Sequence, residues 1–395
     1  MKLAIDTFGS DHGRSGFGSY ILNFISNLPS DIFSSELEGT TINADTKNQK
    51  TEKEQNDTAN DIKIELFGLE DDHYTYTSGK DIPFISPKLS SSKNAEQKWH
   101  LHKINGFIKK NEYDAVIFPC VSKVLPVKFK KYTGIAIINS IISTELQGMP
   151  YLQKKRLIKG LKNIQMIIAA SNYIKEDLTK LGISERKITV IHNGIDHKLF
   201  FPMVNLDDDI IDINPFSIKR PYFVYGSSLS SSEKKHIELI KAFELFKKNT
   251  GLPHRLVLAG NEGEYSKQIH ETVFSSDYAS DIFLVGFFPH ESFAKLYCGA
   301  EACVFPSVNE GVGLPILEAM ACGIPVLCST KGALKEIGGT SPLYFDSNNI
   351  DQIAALMQKI VEDKELRKNI VFDSILWANE FNWENTVKNT LALLQ

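Results

Sequence analysis

Ala302-Cys-Val-Phe305 runs through Pro306-Ser-Val-Asn309 into Glu310-Gly-Val-Gly-Leu-Pro315-Ile-Leu-Glu318. Four apolar residues in a row, closed by a proline, read as a strand buried on both faces of a parallel sheet. Gly311 and Gly313 let the backbone approach a ligand closely, and Pro315 suits the first turn of a helix. A helix that starts there points its free N–H groups into the loop at the carboxyl edge of the sheet. That end binds a phosphate well, because the helix dipole favours negative charge. Glu318 falls about one turn into the helix, where a carboxylate can accept hydrogen bonds from ribose hydroxyls, and Glu310 on the loop reaches the other end of such a ligand. The spacing alone also fits a solvated loop followed by a carboxylate near a helix N-terminus.

The same alternation of short apolar runs with longer segments of helical period extends in both directions. Leu3–Ile5, Ile62–Phe67, Ala115–Phe118, Gly134–Ile138 and Met166–Ala170 read as strands of a first domain, with Ile188–Ile191 closing it. Tyr222–Tyr225, Arg255–Ala259, Ile282–Val285, Ala302–Phe305, Pro325–Cys328 and Leu343–Phe345 form a second series. Two independent series predict an α/β protein of two doubly wound, Rossmann-like domains. The Asn193-Gly194 turn and the acidic, poorly periodic stretch 206–219 mark the linker, so the expected domains are 1–200 and 201–372, with a terminal helical segment at 373–395. Residues 34–61 are rich in Thr, Asn, Asp, Glu and Lys, bury little and read as a mobile insertion. No repeat of fixed period is present.

With 395 residues the chain is long enough for two such domains, and a formal net charge of −4 gives no global excess of positive charge for DNA or RNA. Five cysteines, odd in number and without C-x-x-C spacing, argue against a disulfide framework and a zinc site. They read as reduced, mostly buried thiols of a cytoplasmic protein. The start, Met1-Lys-Leu-Ala-Ile-Asp6, enters a strand-like run with no signal-peptide core, and no apolar run approaches the ~18 residues of a membrane span. Membrane contact is therefore expected to be peripheral, at the inner face.

The string Asn309–Glu318 resembles the E-G-F-G-L-P-x-x-E signature of glycosyltransferase family 4, and Ala319-Met-Ala-Cys-Gly-Ile-Pro-Val326 continues that family's E-A-M-A-x-G-x-P-V. Ser171-Asn-Tyr-Ile-Lys-Glu-Asp-Leu178 and Lys187-Ile-Thr-Val-Ile-His-Asn-Gly-Ile-Asp196 look like the end of the family's first domain and its linker. Phe283-Leu-Val-Gly286-Phe, then Leu296-Tyr-Cys-Gly-Ala300, resemble the segment before the catalytic loop. Phe381-Asn-Trp-Glu384 resembles the F-S-W-E that precedes a final helix crossing back to the first domain. The resemblance implies a GT-B fold, two Rossmann-like domains facing a central cleft.

Further site residues follow from the resemblance. Gly16-Phe-Gly-Ser-Tyr20 is similar to the family's G-I-G-R-Y, whose first glycine lies against the donor diphosphate, so Gly16 takes that role. Gly226-Ser-Ser-Leu-Ser-Ser-Ser-Glu-Lys234-Lys235-His-Ile237 stands where the family has G-(R/S)-L-x-x-x-K-(N/G)-L. Lys235 is expected to be the lysine that neutralises the leaving group, with Lys234 at a neighbouring donor-binding position often held by arginine. Gly311, Val312, Gly313 and Leu314 would line the donor, Glu318 its ribose, and Glu310 the transferred sugar. One departure lies in Ile137-Ile138-Asn139-Ser140, where many relatives have His-Asp: Asn139 can bond a sugar hydroxyl but cannot take a proton. His100 and His102 lie outside the motifs and read as core or surface histidines.

Between Val121 and Gln165 the bases Lys123, Lys128, Lys130, Lys131, Lys154, Lys155, Arg156, Lys159 and Lys162 face the single acid Glu145. Tyr151–Ile164 has apolar residues at helical spacing, and a basic amphipathic helix suits an anionic membrane surface. Solvated lysines on an ordinary helix are the competing explanation. The resemblance implies a retaining transferase that moves a hexose from a GDP- or UDP-sugar to a glycan or polyprenyl-diphosphate-linked acceptor in surface polysaccharide synthesis, with no cofactor and no metal. Gly16–Tyr20 and Glu96-Gln97 lean towards GDP-mannose. Leaving-group charge would be met by Lys235, the helix N-terminus and backbone N–H groups, and domain closure would exclude water. A catalytically silent sugar-nucleotide-binding or scaffold member is the alternative, and an epimerase or phosphorylase of the same fold is a further one.

Overall fold

Six of the apolar runs and one short further segment fold in the computed structural model as one sheet: β1 (Lys2–Asp6), β2 (Lys63–Phe67), β3 (Phe84–Ile85), β4 (Ala115–Phe118), β5 (Thr133–Ile138), β6 (Met166–Ala169) and β7 (Ile188–Val190). Their order is β3-β2-β1-β4-β5-β6-β7, and the pairings are parallel. After a short pair, β8 (Ile210–Ile213) and β9 (Phe216–Lys219), a second sheet is built from β10 (Tyr222–Gly226), β11 (Arg255–Ala259), β12 (Ile282–Gly286), β13 (Ala302–Phe305), β14 (Val326–Ser329) and β15 (Leu343–Phe345). Its order is β12-β11-β10-β13-β14-β15, again parallel. The structure describes residues 1–29, 62–92, 94–203, 210–213 and 216–394; the insertion expected at 34–61 lies outside the described residues.

Both orders are the doubly wound arrangement, in which crossover helices cover both sheet faces and the central strands become apolar throughout. Phe223, Val224 and Tyr225 on β10 and Ala302, Cys303 and Val304 on β13 are fully buried for that reason. Each sheet reverses its strand order once, between β1 and β4 in the first and between β10 and β13 in the second, and at such a point the flanking loops diverge and leave a crevice at the carboxyl edge.

The described residues divide into two compact units. The first comprises 1–170, 175–191 and 386–395; the second comprises 171–174 and 192–385. The last helix, Trp383–Ala392, thus ends among first-unit residues, where Thr390 hydrogen-bonds Tyr20. The chain passes into the second unit after Ile191, ahead of the linker read near residue 200.

Three strands escape the sequence reading. β3 has only two residues and no pattern to detect. The acidic stretch read as linker holds the antiparallel pair β8–β9, in which Ile211, Ile213 and Ile218 are buried while Asp212 and Ser217 point outward. Three alternating isoleucines are too few to register against the acidic composition around them. Lys295 donates to the Asp212 carbonyl at 2.7 Å and ties the pair to the helix His290–Cys298.

Candidate functional site

In the second unit, the loops that leave β10 and β13 flank the point where the strand order reverses. They are joined by several bonds. Val308 N–H donates to the Glu233 carbonyl at 2.9 Å and Asn309 Nδ2 to the Glu233 carboxylate at 3.0 Å, while the Tyr225 hydroxyl, on β10 itself, donates to the Lys234 carbonyl at 2.9 Å. The result is that Lys234 Nζ meets Glu310 Oε1 in an ion pair, both side chains mostly buried. Lys235 turns elsewhere, to Glu238 at 2.7 Å and Asn348 Oδ1 at 2.9 Å.

The backbone explains this division. Lys235 has φ of 59°, the left-handed conformation that glycine and asparagine adopt at least cost. The φ of 59° is one that the Asn or Gly of the pattern K-(N/G) adopts readily, and with it the Lys235 side chain turns to Glu238 and Asn348 while that of Lys234 meets Glu310. A count along the sequence cannot see this, since the serine-rich loop differs in length from the pattern and either lysine satisfies the letter.

Glu310 is held from behind as well. Ala333 N–H donates to its carbonyl at 2.8 Å, and Gly332, at φ of 62°, lies so close that a Cβ there would stand 2.6 Å from the Glu310 oxygen. Ser171 Oγ–H donates to the Gly311 carbonyl at 2.6 Å. Gly313, at φ of 73°, then caps the helix Leu314–Ala321, with Pro315 in the first turn. Eight residues are too few for a helix to persist alone. Burial of Ile316, Leu317 and Met320, each worth ~2 kcal/mol when a side chain of that size leaves water, holds it in place. Pro315 has no N–H and the Ile316 N–H donates to the Gly313 carbonyl at 3.2 Å, which leaves the N–H groups of Gly313 and Leu314 without a partner inside the helix.

Glu318 is on this helix and is 7% exposed. Its Oε1 is 3.0 Å from Nε2 of His290, the first residue of the helix His290–Cys298. The Glu318 hydrogen bond is the main reason that the His290 pKa lies above its ordinary value, against the opposing effect of burial. Nothing in the sequence singles out His290; its partner is 28 residues away.

Gly16 and Asn139 belong to the first unit and are described within it. Gly16 opens the helix Gly16–Ser26, whose cap Ser15 accepts from Gly18 N–H at 3.2 Å. A Cβ on Gly16 would meet no atom within 4 Å, whereas one on Gly18 would stand 2.5 Å from Gly13 Cα. Gly18 is thus required by packing, and the space beside Gly16 is open. Asn139 is half-buried at the carboxyl end of β5.

Sequence reading missed the most buried ionisable pair at that edge. His100 Nε2 lies 2.8 Å from Asp6 Oδ2, each side chain 1% exposed. His100 Nδ1 is 2.7 Å from the Glu96 carbonyl, which can only accept, so Nδ1 carries a proton and another proton lies between Nε2 and Asp6. Burial raises the Asp6 pKa, with His100 opposing. Asp72 completes the group, accepting from Thr7 Oγ1 at 3.1 Å and meeting His12 Nδ1 at 2.8 Å. His100 is therefore a core histidine, and His102 is exposed.

The basic stretch folds as expected into a helix, Tyr151–Asn163, with Leu157 and Leu161 buried and Tyr151 and Leu152 exposed at 74% and 62%. Among the described residues, none of the cations from Lys123 to Lys162 forms an ion pair. No helix among them is long and apolar enough to cross a membrane, and no group of three His, Cys, Asp or Glu side chains could hold a metal ion. All five cysteines are free thiols.

Comparison with known proteins gives two family matches, "glycosyl transferases group 1" over residues 207–373 and "glycosyltransferase family 4" over residues 59–199. The chain belongs to the family 4 glycosyltransferases. This glycosyltransferase is 34% identical over 153 residues to Escherichia coli O-antigen chain mannosyltransferase B, a match spanning 39% of this chain and 40% of that protein. It is 32% identical over 107 residues to the E. coli serotype-specific mannosyltransferase WbdA, spanning 27% of this chain and 13% of that one. The matched regions thus cover less than half the length of either relative. The structure resembles that of Anabaena HepE, solved in complex with UDP and glucose, with a TM-score of 0.69 at 15% identity over 100% of this chain and 99% of that one. The fold of the glycosyltransferase is accordingly GT-B, two Rossmann-like α/β domains.

Proposed function

We propose that this protein transfers a hexose, mannose by preference, from a nucleotide-diphosphate sugar to a glycan or lipid-linked acceptor, retaining the anomeric configuration. The observation that carries the reading is the Lys234–Glu310 pair at the mouth of a glycine-capped helix, at the carboxyl edge where the second sheet reverses its order. A lysine ammonium has three donors and Glu310 takes one, so Lys234 keeps two for diphosphate oxygens. Lys234, rather than Lys235, then neutralises the leaving group, together with the N–H groups of Gly313 and Leu314. The Glu310 carboxylate orients sugar hydroxyls, and Glu318 accepts from the ribose. These fixed charges oppose the charge that develops on the diphosphate without needing to reorganise during the reaction. The mannose preference draws on the two E. coli mannosyltransferases, and a lipid-linked acceptor at an anionic inner membrane face draws on the unpaired cations beside Tyr151 and Leu152.

The test is a panel of GDP- and UDP-sugars, followed by thermal stabilisation and by donor turnover, with Glu310→Ala as control. One donor that stabilises the protein and turns over only with Glu310 intact supports the transferase. Binding without turnover under every acceptor supports the silent member, the reading that Asn139 favours by replacing a protonatable histidine.

A further inference from the structure

His290 and Glu318 stand on different helices, and their hydrogen bond crosses the gap between them. Both ends of the bond are held. The His290 ring packs edge-on against Phe200, with centroids 5.1 Å apart, and Phe200 is itself 1% exposed. Phe288, two residues before His290, is 3% exposed and anchors the start of the helix. The charged groups that act on the imidazole are Glu318 from the opposite helix, Glu291 from its own and Asp196 from the segment leading to Phe200, all acidic. Only Glu318 Oε1 is engaged in the pair, which leaves Oε2 with its lone pairs.

We propose that His290 is a positioning residue for donor binding: it holds one oxygen of Glu318 so that the other is presented to the ribose hydroxyls of the nucleotide. The proposal rests on the ribose role given to Glu318 above. A carboxylate already fixed in its rotamer loses less conformational freedom when it binds, so the contribution of His290 falls on ribose recognition and not on the chemical step. A His–Glu pair that served only to join the two helices would affect all ligands of the crevice alike.

The experiment is calorimetric binding of GDP and UDP, each against its 2′,3′-dideoxy counterpart, to the full chain and to Glu318→Ala, His290→Ala, His290→Gln and the His290→Ala/Glu318→Ala double variant. For whichever nucleotide binds, the hydroxylated form is expected to bind about tenfold or more tightly than the dideoxy form, the value of a hydrogen bond to a charged acceptor. Glu318→Ala removes this preference. His290→Ala removes most of it with dideoxy binding unchanged, His290→Gln restores it through its amide donor, and the double variant matches Glu318→Ala. If His290→Ala keeps the full preference while Glu318→Ala loses it, the proposal is overturned and the ribose role stands. If Glu318→Ala keeps the preference, the ribose role fails and the proposal fails with it. An equal loss of hydroxylated and dideoxy nucleotide in His290→Ala, with His290→Gln giving no rescue, assigns the pair to structure and also overturns the proposal.

Discussion

Gly332 makes no direct contribution to the proposed chemistry, yet replacing it with alanine should disable the site. Its φ of 62° places an L side chain in the left-handed region, at a cost of about 1–2 kcal/mol. The new Cβ would also stand 2.6 Å from the Glu310 carbonyl oxygen and 2.8 Å from its nitrogen. An ordinary contact begins at 3.4 Å, so the Glu310 backbone must withdraw by 3.4 − 2.6, about 0.8 Å. That displacement weakens the Ala333 N–H bond to Glu310 and moves the carboxylate away from Lys234. A misplacement near 1 Å costs a reaction that depends on alignment about 100-fold, so kcat for donor turnover should fall by roughly that factor. The donor KM should change little, since the helix N-terminus and Glu318 are untouched. The strain alone lowers Tm by about 2–8 °C for a domain of this size. Steady-state turnover beside a thermal melt of the same preparation is the assay. If Gly332→Ala shows the drop in Tm and keeps full kcat, the reasoning that Gly332 fixes the position of Glu310, and that this position governs the reaction, is refuted.

The two lysines separate in a second comparison: Lys234→Ala should lower kcat by about 100- to 1,000-fold, as the loss of one preorganised charge does, and Lys235→Ala by less than tenfold. The reverse order, measured as donor turnover, would return the leaving-group role to Lys235. Acid stability gives a third outcome. His236 and His254 are buried with pKa values lowered to about 4, chiefly by burial. The unfolded chain therefore binds more protons than the folded one below the ordinary value of about 6.5, so stability falls as pH drops from there to about 4 and levels off below. His254, stacked on Phe223 with centroids 5.3 Å apart, can be replaced by phenylalanine, and His254→Phe should flatten that limb in Tm measured from pH 7 to 4. Finally, donor turnover should persist in EDTA; a loss restored by a divalent cation would overturn the metal-independent reading.

Much of this protein was legible because its signals are local. A buried parallel strand must be apolar on both faces, so the runs at Ala115–Phe118 and Ala302–Phe305 declare themselves without their partners. The turn from β13 into its helix is written in Gly313 and Pro315, whose backbone preferences hold wherever they occur. β8 and β9 were not legible, because a two-strand pair with one buried face shows too short an alternation within acidic composition.

The sequence by itself determined the fold class, the two strand series, the family and the loop that bears Glu310 and Glu318, since each depends on residue type and spacing within a few turns of chain. Only the tertiary structure decided which lysine meets Glu310, because that choice turns on the left-handed backbone at Lys235 and on bonds from residues more than 70 positions away. It alone joined His290 to Glu318 and His100 to Asp6. A hydrogen bond requires approach within about 3 Å, and between residues distant in sequence that approach is set by how the sheets and helices pack, which no local pattern records.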